Sequence, residues 1–150
     1  MERPRVPMLT PTMSALVFER RGLQIAIFVA ALVPIAAGGA GVLEGARMIH
    51  GAGASSADLE SHFRYLSGLL LGIGLVFMTT IPRIERRSEI FLALSAIVMV
   101  GGLARLGFAV TQGGTTAPHR FALVMELVVV PILLLWQRRI ARQASPSTRI

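Results

Sequence analysis

The chain has 150 residues, of which 53% are apolar and only 15% are charged, whereas soluble domains carry about 25% charged residues. It has a net charge of +7 and no cysteine, which excludes disulfides, thiolate metal sites, cysteine nucleophiles and haem attachment through cysteine. The basic residues are all arginines and stand at the ends of apolar runs rather than along one amphipathic face, which argues against a nucleic-acid-binding protein.

Four apolar runs follow one another along the chain, at Leu23–Leu43, Tyr65–Ile81, Ile90–Val110 and Phe121–Trp136. Each run is about 16–21 residues long and would cover roughly 24–32 Å as a helix, close to the thickness of a hydrocarbon core. Backbone groups in lipid must be bonded within the segment, so the runs are predicted to be helices rather than strands of a barrel. The sequence therefore predicts an all-α, four-transmembrane-helix bundle.

Arginine counts predict the orientation of this bundle. The amino end, the 82–89 connection and the tail carry four, three and four arginines, whereas the 44–64 and 111–120 connections carry two and one. Because cytoplasmic segments are enriched in arginine and lysine, both ends are predicted to be cytoplasmic.

The predicted organisation is an amino-terminal segment at 1–22, a membrane domain at 23–137 and a tail at 138–150. One alternative stays open, because the basic leader, the first apolar run and the small residues at 36–40 could form a cleaved signal peptide.

Small residues at helical spacing mark the predicted contact faces, because helices in lipid associate through close packing. The predicted packing residues are Gly38, Gly41, Gly68, Gly72, Gly101 and Gly102. The alternative is that some of these glycines leave room for a ligand or for the Arg105 side chain. Pro34 and Pro131 lie inside apolar runs, where each frees a backbone carbonyl and can kink its helix.

Two charged residues lie inside the apolar runs at matched depths. Arg105 stands about five residues before the outer end of the third run, and Glu126 stands about five residues after the outer start of the fourth, so both are expected roughly 7–8 Å inside the outer boundary. An unpaired charge at that depth costs at least a few kcal/mol. The two side chains are therefore predicted to form a charge-assisted contact.

Further polar residues are expected in the same outer layer. The predicted cluster consists of Arg105, Glu126, Arg64, Glu44 and His62. It is interpreted first as an ionic clamp that fixes the order of the helices, and alternatively as a small polar pocket for an anionic or quinone-like headgroup. No catalytic residue, metal site or cofactor is assigned, since the histidines lack metal-ligand spacing and no phosphate-binding loop is present.

Two motifs give the chain a resemblance to a known family. They are His62-Phe63-Arg64-Tyr65-Leu66-Ser67-Gly68 and Gly101-Gly102-Leu103-Ala104-Arg105, together with Glu126 in an apolar helix. Over roughly residues 23–137 the chain resembles a bacterial family of small four-helix membrane proteins known only as a domain of unknown function. The resemblance implies an outer-side polar cluster and supplies no activity. In architecture alone, the chain is also similar to the DoxX-like group of four-helix proteins.

Three classes of function remain. The favoured one is an accessory or structural membrane protein that binds lipids, other membrane subunits or copies of itself, with no nucleic-acid partner. The second is a small-ligand carrier or permease, although the halves of the chain show no inverted repeat. The third is a membrane enzyme or redox-associated protein of the DoxX-like kind, which needs the outer cluster to be its site. The balance is against an enzyme.

Overall fold

The computed structural model describes residues 11–49, 56–113 and 115–144. Its α-helices are α1 (Pro11–Glu44), α2 (Ala57–Thr80), α3 (Ser88–Gln112), α4 (Ala117–Val124) and α5 (Val130–Ala144). A π-helical turn, Met125–Val129, joins α4 and α5 into one continuous helix. Short 3₁₀ turns, Gly45–Met48 and Ile81–Arg86, extend α1 and α2.

Four helices in the described part of the chain are long and apolar enough to cross a membrane. They are Ala15–Met48, Ala57–Arg86, Ser88–Gln112 and Ala117–Ala144. For the described residues, the prediction of an all-α fold with four helices long and apolar enough to span a membrane is confirmed, and the chain has the build of a multi-pass membrane protein. The cytoplasmic orientation of its ends stays a prediction.

The helices continue well beyond the apolar runs. Helix α1 begins at Pro11, and α5 ends at Ala144. In the last turns of α5 the side chains of Gln137 and Ile140 are buried while their arginine neighbours are exposed. These turns are amphipathic and pack on the bundle, which an average hydropathy does not reveal. The remaining parts of the predicted end segments, at 1–10 and 145–150, lie outside the described residues.

The two ends of the bundle carry different connections. Gln24 of α1 donates a hydrogen bond of 2.8 Å to the carbonyl of Ile81, and Gln137 of α5 donates one of 2.8 Å to the carbonyl of Ile84. The start of α1, the turn Ile81–Arg86 and the end of α5 therefore meet at one end, here called the terminus end. The opposite end, which carries the connections after α1 and α3, is called the loop end.

The hydrophobic core occupies the half of the bundle near the terminus end. Its buried residues are Leu23, Ile27, Ala31, Phe77, Ile84, Phe91, Leu94, Leu133 and Ile140. The rings of Phe77 and Phe91 meet edge to face, with centroids 5.2 Å apart and planes inclined by 76°, a favoured arrangement of aromatic side chains. This contact ties α2 to α3 next to the turn that connects them.

Glycines bring α1 and α2 into backbone contact through the half near the loop end. A Cβ added at Gly38 would lie 2.5 Å from the backbone nitrogen of Leu71, and one at Gly41 would collide with a serine side chain of α2. On the opposite helix, a Cβ at Gly74 would lie 2.7 Å from the side chain of Ile35. The predicted packing roles of Gly38 and Gly41 agree with these contacts.

The glycine pair of α2 does not take part in this seam. Gly72 has no neighbouring atom within 4 Å of an added Cβ, and Gly68 meets only the side chain of Val42, at 3.9 Å. Successive helical residues are rotated by about 100°, so the α2 face that carries Ser67 and Leu71 turns both glycines aside. Spacing alone indicates that two glycines share a face, without indicating which neighbour that face meets.

Candidate functional site

The helix that carries Glu126 widens at that residue into a π turn. The backbone N–H of Val130 donates to the carbonyl of Met125, five residues earlier. The following residue, Pro131, has no N–H, and its ring would crowd the carbonyl of Leu127 in a regular α-helix. The π turn relieves this conflict one turn before the proline, and such turns often occur at functional sites.

Arg105 and Glu126 form the predicted ion pair. The guanidinium Nε donates to Oε2 at 3.2 Å, and Nη2 donates to Oε1 at 3.3 Å. Two parallel bonds of this kind are the strong geometry of an arginine–carboxylate pair. The side chains are 37% and 18% exposed, so the pair fastens α3 to the π turn and keeps one edge of the guanidinium open.

Gly102 allows the two helices to approach closely enough for this pair. An added Cβ would lie 2.8 Å from Cβ of Glu126 and 2.8 Å from Cδ2 of Leu127. Arg105 follows almost one helical turn later on the same face. Its neighbour Gly101, by contrast, has no atom within 4 Å of an added Cβ and so makes no packing contact within the described chain.

These neighbouring glycines offer a matched pair of variants. Gly102→Ala should lower the free energy of unfolding by about 1–2 kcal/mol, because the new methyl group forces α3 away from the π turn. Gly101→Ala should cause no loss, because its methyl group meets open space. Unfolding in mixed micelles at increasing SDS mole fraction, followed by far-UV circular dichroism, measures both. Equal stability of the two variants would contradict the packing role of Gly102.

The pair lies further from the helix ends than the apolar runs implied. Helix α3 continues to Gln112 and α4 begins at Ala117, so the two residues lie roughly 10 Å and 14 Å from those ends. The expected 7–8 Å was measured from the ends of the runs, and polar residues such as Thr111 extend the helices beyond them.

A second ion pair, absent from the sequence-based cluster, closes the loop end of α1. The carboxylate of Glu60 accepts a hydrogen bond of 2.9 Å from Nε of Arg64 and one of 3.0 Å from the backbone N–H of Ala46. Nη1 of Arg64 donates to the carbonyls of Val42 and Leu43. These carbonyls are in the last turn of α1, where they have no intrahelical partner, so Arg64 satisfies the end of one helix from another.

The chain reversal at this corner depends on glycine. Gly45 has a φ of +66°, a conformation that a residue with a side chain rarely adopts. An added Cβ there would also collide with the carboxylate of Glu60. The signal for the Glu60–Arg64 pair was present in the sequence as an acid four residues before an arginine on one helix.

The other two members of the predicted cluster stand apart. Glu44 and His62 are exposed, and neither side chain makes a hydrogen bond or ion pair with another residue in the described part of the chain. Within residues 11–49, 56–113 and 115–144, no bond joins the Arg64 pair to the Arg105 pair. The five side chains therefore do not form one cluster. Arg105 pairs with Glu126, and Arg64 pairs with Glu60, because α3 packs on the π turn while α1 packs on α2. The remaining two side chains face solvent or lipid.

The sequence did not predict the following polar contacts at the terminus end, because the residues that form them lie outside the apolar runs. Arg20 donates to Glu85 at 3.2 Å and to the carbonyl of Pro82 at 3.0 Å. The amide of Gln137, wholly buried, donates to Ser88 Oγ at 2.8 Å as well as to the carbonyl of Ile84. These bonds hold α1 and α5 to the turn between α2 and α3.

The polar groups described above can hold helices in position and can bind an anionic or hydrogen-bonding group. Among the described residues, no group of three or more His, Asp or Glu side chains could hold a metal ion. Each pair instead cross-links two helices, and the Arg105 guanidinium keeps part of its surface open to an anionic or hydrogen-bonding group.

Comparison with known proteins gives one match. A family model described as a domain of unknown function (DUF4345) matches residues 22–137, almost the range over which the motifs indicated a resemblance. No curated protein and no solved structure matches the chain significantly.

Proposed function

The chain belongs to the DUF4345 family, a domain of unknown function, and we propose that it is an accessory or structural protein of a bacterial inner membrane, with both ends in the cytoplasm. In this role it acts by binding a neighbouring membrane subunit or a copy of itself within the bilayer.

The uneven burial of the four helices carries this proposal. In the most apolar stretch of the fourth helix, Ala117–Ala144, only 6% of the residues are buried, against 22% in each of the other three. Exposed positions of this helix include Phe121, Val124 and Val128. Its buried side chains, Leu133, Gln137 and Ile140, all lie after the π turn, so the first half of the helix leaves a long face free for another transmembrane helix.

The polar contacts support the same interpretation. The two ion pairs near the loop end bond α2 to the end of α1 and α3 to the π turn. Used in this way, the charged groups fix helix order and register, which is what a scaffold for other subunits requires.

Site-specific photocrosslinking in the cell membrane tests the proposal. A benzoylphenylalanine at Val128, half exposed on the fourth helix, should give one discrete protein adduct. The same probe at Ile25, 64% exposed on α1, is the matched control in lipid and should give none. Equal labelling at both positions, or no adduct at Val128, would contradict the accessory role. A reporter fused after Ile150 that is active only outside the cell would contradict the orientation.

A carrier or a redox-associated protein of the DoxX-like kind is the second candidate. The observation in its favour is a carboxylate in a π turn, where Glu126 is 18% exposed beside a partly open guanidinium. Proteoliposomes loaded with the pH-sensitive dye pyranine distinguish a proton-coupled carrier. Proton entry that is lost in Glu126→Gln, together with an absent Val128 adduct, would favour this candidate over the accessory role.

A further inference from the structure

A groove lies between α1 and α5 near the terminus end. It has a volume of about 440 Å³ and is lined by Glu19, Ile132, Leu135, Trp136 and Arg139. The groove is open along one side, and Glu19 is its lining residue on α1. None of the contacts near the loop end involves these residues.

The lining residues of α5 change from apolar to charged along the helix. Ile132, Leu135, Trp136 and Arg139 follow one another at spacings of three, one and three residues, so they share one face. Ile132 and Leu135 are 56% and 66% exposed, and together they form an apolar surface along which an extended hydrocarbon chain can lie. Arg142, one turn beyond Arg139, continues the same face towards the terminus end.

The indole of Trp136 lines the groove and lies next to α1. An added Cβ at Gly22 of α1 would lie 3.4 Å from the ring, so the ring packs against the α1 backbone there. Tryptophan is enriched where the hydrocarbon core meets the headgroups. The groove thus runs from a hydrocarbon-like surface, past an interfacial aromatic ring, to a guanidinium.

Charge at this end of the bundle favours an anion. Among the described residues, the terminus end carries eight arginines and three glutamates, whereas the loop end carries four arginines and four acidic residues. Six of the terminus-end arginines are exposed, and their side chains form no hydrogen bond or ion pair with other described residues. These are Arg21, Arg83, Arg86, Arg87, Arg138 and Arg142.

Arg139 lies at the groove and has N–H groups that bond to no other described residue. Its Nη2 donates to Oε1 of Glu19 at 3.1 Å, and the side chain remains 63% exposed. Its Nε and Nη1 form no bond within the described chain. The single negative charge of Glu19 is outnumbered by Arg138, Arg139 and Arg142, which follow one another on the last turns of α5.

We propose that this groove binds an anionic phospholipid of the adjacent leaflet. One acyl chain lies along Ile132, Leu135 and Trp136, and the headgroup phosphate binds Arg139 and Arg142. The proposal goes beyond the accessory role and does not depend on the identity of any protein partner.

The chain carries its own probe for this site, because Trp136 is its only tryptophan. Bromine atoms on an acyl chain quench tryptophan fluorescence on contact. The full chain in phosphatidylcholine nanodiscs is compared at rising mole fractions of dibrominated phosphatidylglycerol and of dibrominated phosphatidylcholine. We expect the anionic lipid to reach half-maximal quenching at about a fivefold lower mole fraction, as about 1 kcal/mol of headgroup attraction gives.

Paired variants separate a groove site from a diffuse basic surface. Arg139→Gln with Arg142→Gln should abolish the preference, whereas Arg83→Gln with Arg86→Gln removes the same charge from the α2–α3 turn and should preserve it. Far-UV circular dichroism checks that each variant retains its helices. Equal quenching by the two lipids in the unaltered chain overturns the proposal, and so does an equal effect of the two double variants. Loss of the preference in millimolar inorganic phosphate would assign the arginines to free phosphate instead of lipid.

Discussion

Replacing Gly38 with alanine should lower the free energy of unfolding by about 3 kcal/mol, the upper part of the range for overpacked sites. An added Cβ would lie 2.5 Å from the backbone nitrogen of Leu71 and 2.7 Å from the carbonyl oxygen of Ser67. Both atoms belong to the α2 backbone, so no side chain can rotate out of the way and the two helices must separate. SDS-induced unfolding, followed by far-UV circular dichroism, measures the loss.

The adjacent residue provides the control for this variant. Gly39 has no atom within 4 Å of an added Cβ, and alanine is the better helix former of the two residues. Gly39→Ala should therefore unfold at the same or a slightly higher SDS mole fraction. If Gly38→Ala were as stable as Gly39→Ala, α1 and α2 could not be in the backbone contact described above.

The glycines show which part of the fold can be predicted from the sequence and which part cannot. Four long apolar runs, which contain no charged residue except Arg105 and Glu126, predict four helices, because a helix bonds its own backbone groups in lipid and the runs are too long for the strands of a barrel. The rotation of each helix about its axis is decided by side chains that meet across the bundle. Gly38 therefore packs on α2 as expected, whereas Gly72 and Gly101 have no neighbour within 4 Å of an added Cβ.

The helix ends were the less predictable part of the fold. Ile84, Gln137 and Ile140 are buried, although each lies beside exposed arginines. Hydropathy averaged over such a stretch is low, so the apolar runs end too early. The burial of the Gln137 amide could not be predicted either, because it depends on the carbonyl and the hydroxyl that accept its hydrogen bonds.

The candidate site was predictable where depth alone decides the partner. Arg105 and Glu126 are the charged residues inside the last two runs, and each lies about five residues from the end of its run that faces the shared connection. Arg64 had several possible partners. Its choice of Glu60 follows from the corner after α1, where Gly45 turns the chain and places the Ala46 N–H on the same carboxylate.

Removing the carboxylate of the deeper pair should harm the protein more than removing its guanidinium. In Glu126→Ala, the Arg105 side chain keeps its charge, because a guanidinium does not lose its proton in a protein. A carboxyl group, unlike a guanidinium, has a neutral form in general, and a neutral group costs less than a charge in an apolar environment. We expect a loss of about 2–3 kcal/mol in the first variant, the scale of an unpaired arginine in a membrane helix, and of about 1 kcal/mol in the second.

A double variant shows whether the loss comes from the unpaired charge. Arg105→Leu with Glu126→Leu removes both charges, so it should recover most of the stability that Glu126→Ala loses, since replacing a whole buried pair with apolar side chains is often nearly neutral. Arg139→Ala, which breaks the exposed pair with Glu19, should change the free energy of unfolding by less than about 1 kcal/mol. SDS titration of the four variants in one lipid mixture gives the comparison. If Arg105→Ala proved the more damaging single change, the guanidinium would hold α3 through contacts other than its ion pair, and Glu126 would not be the residue that makes its charge tolerable.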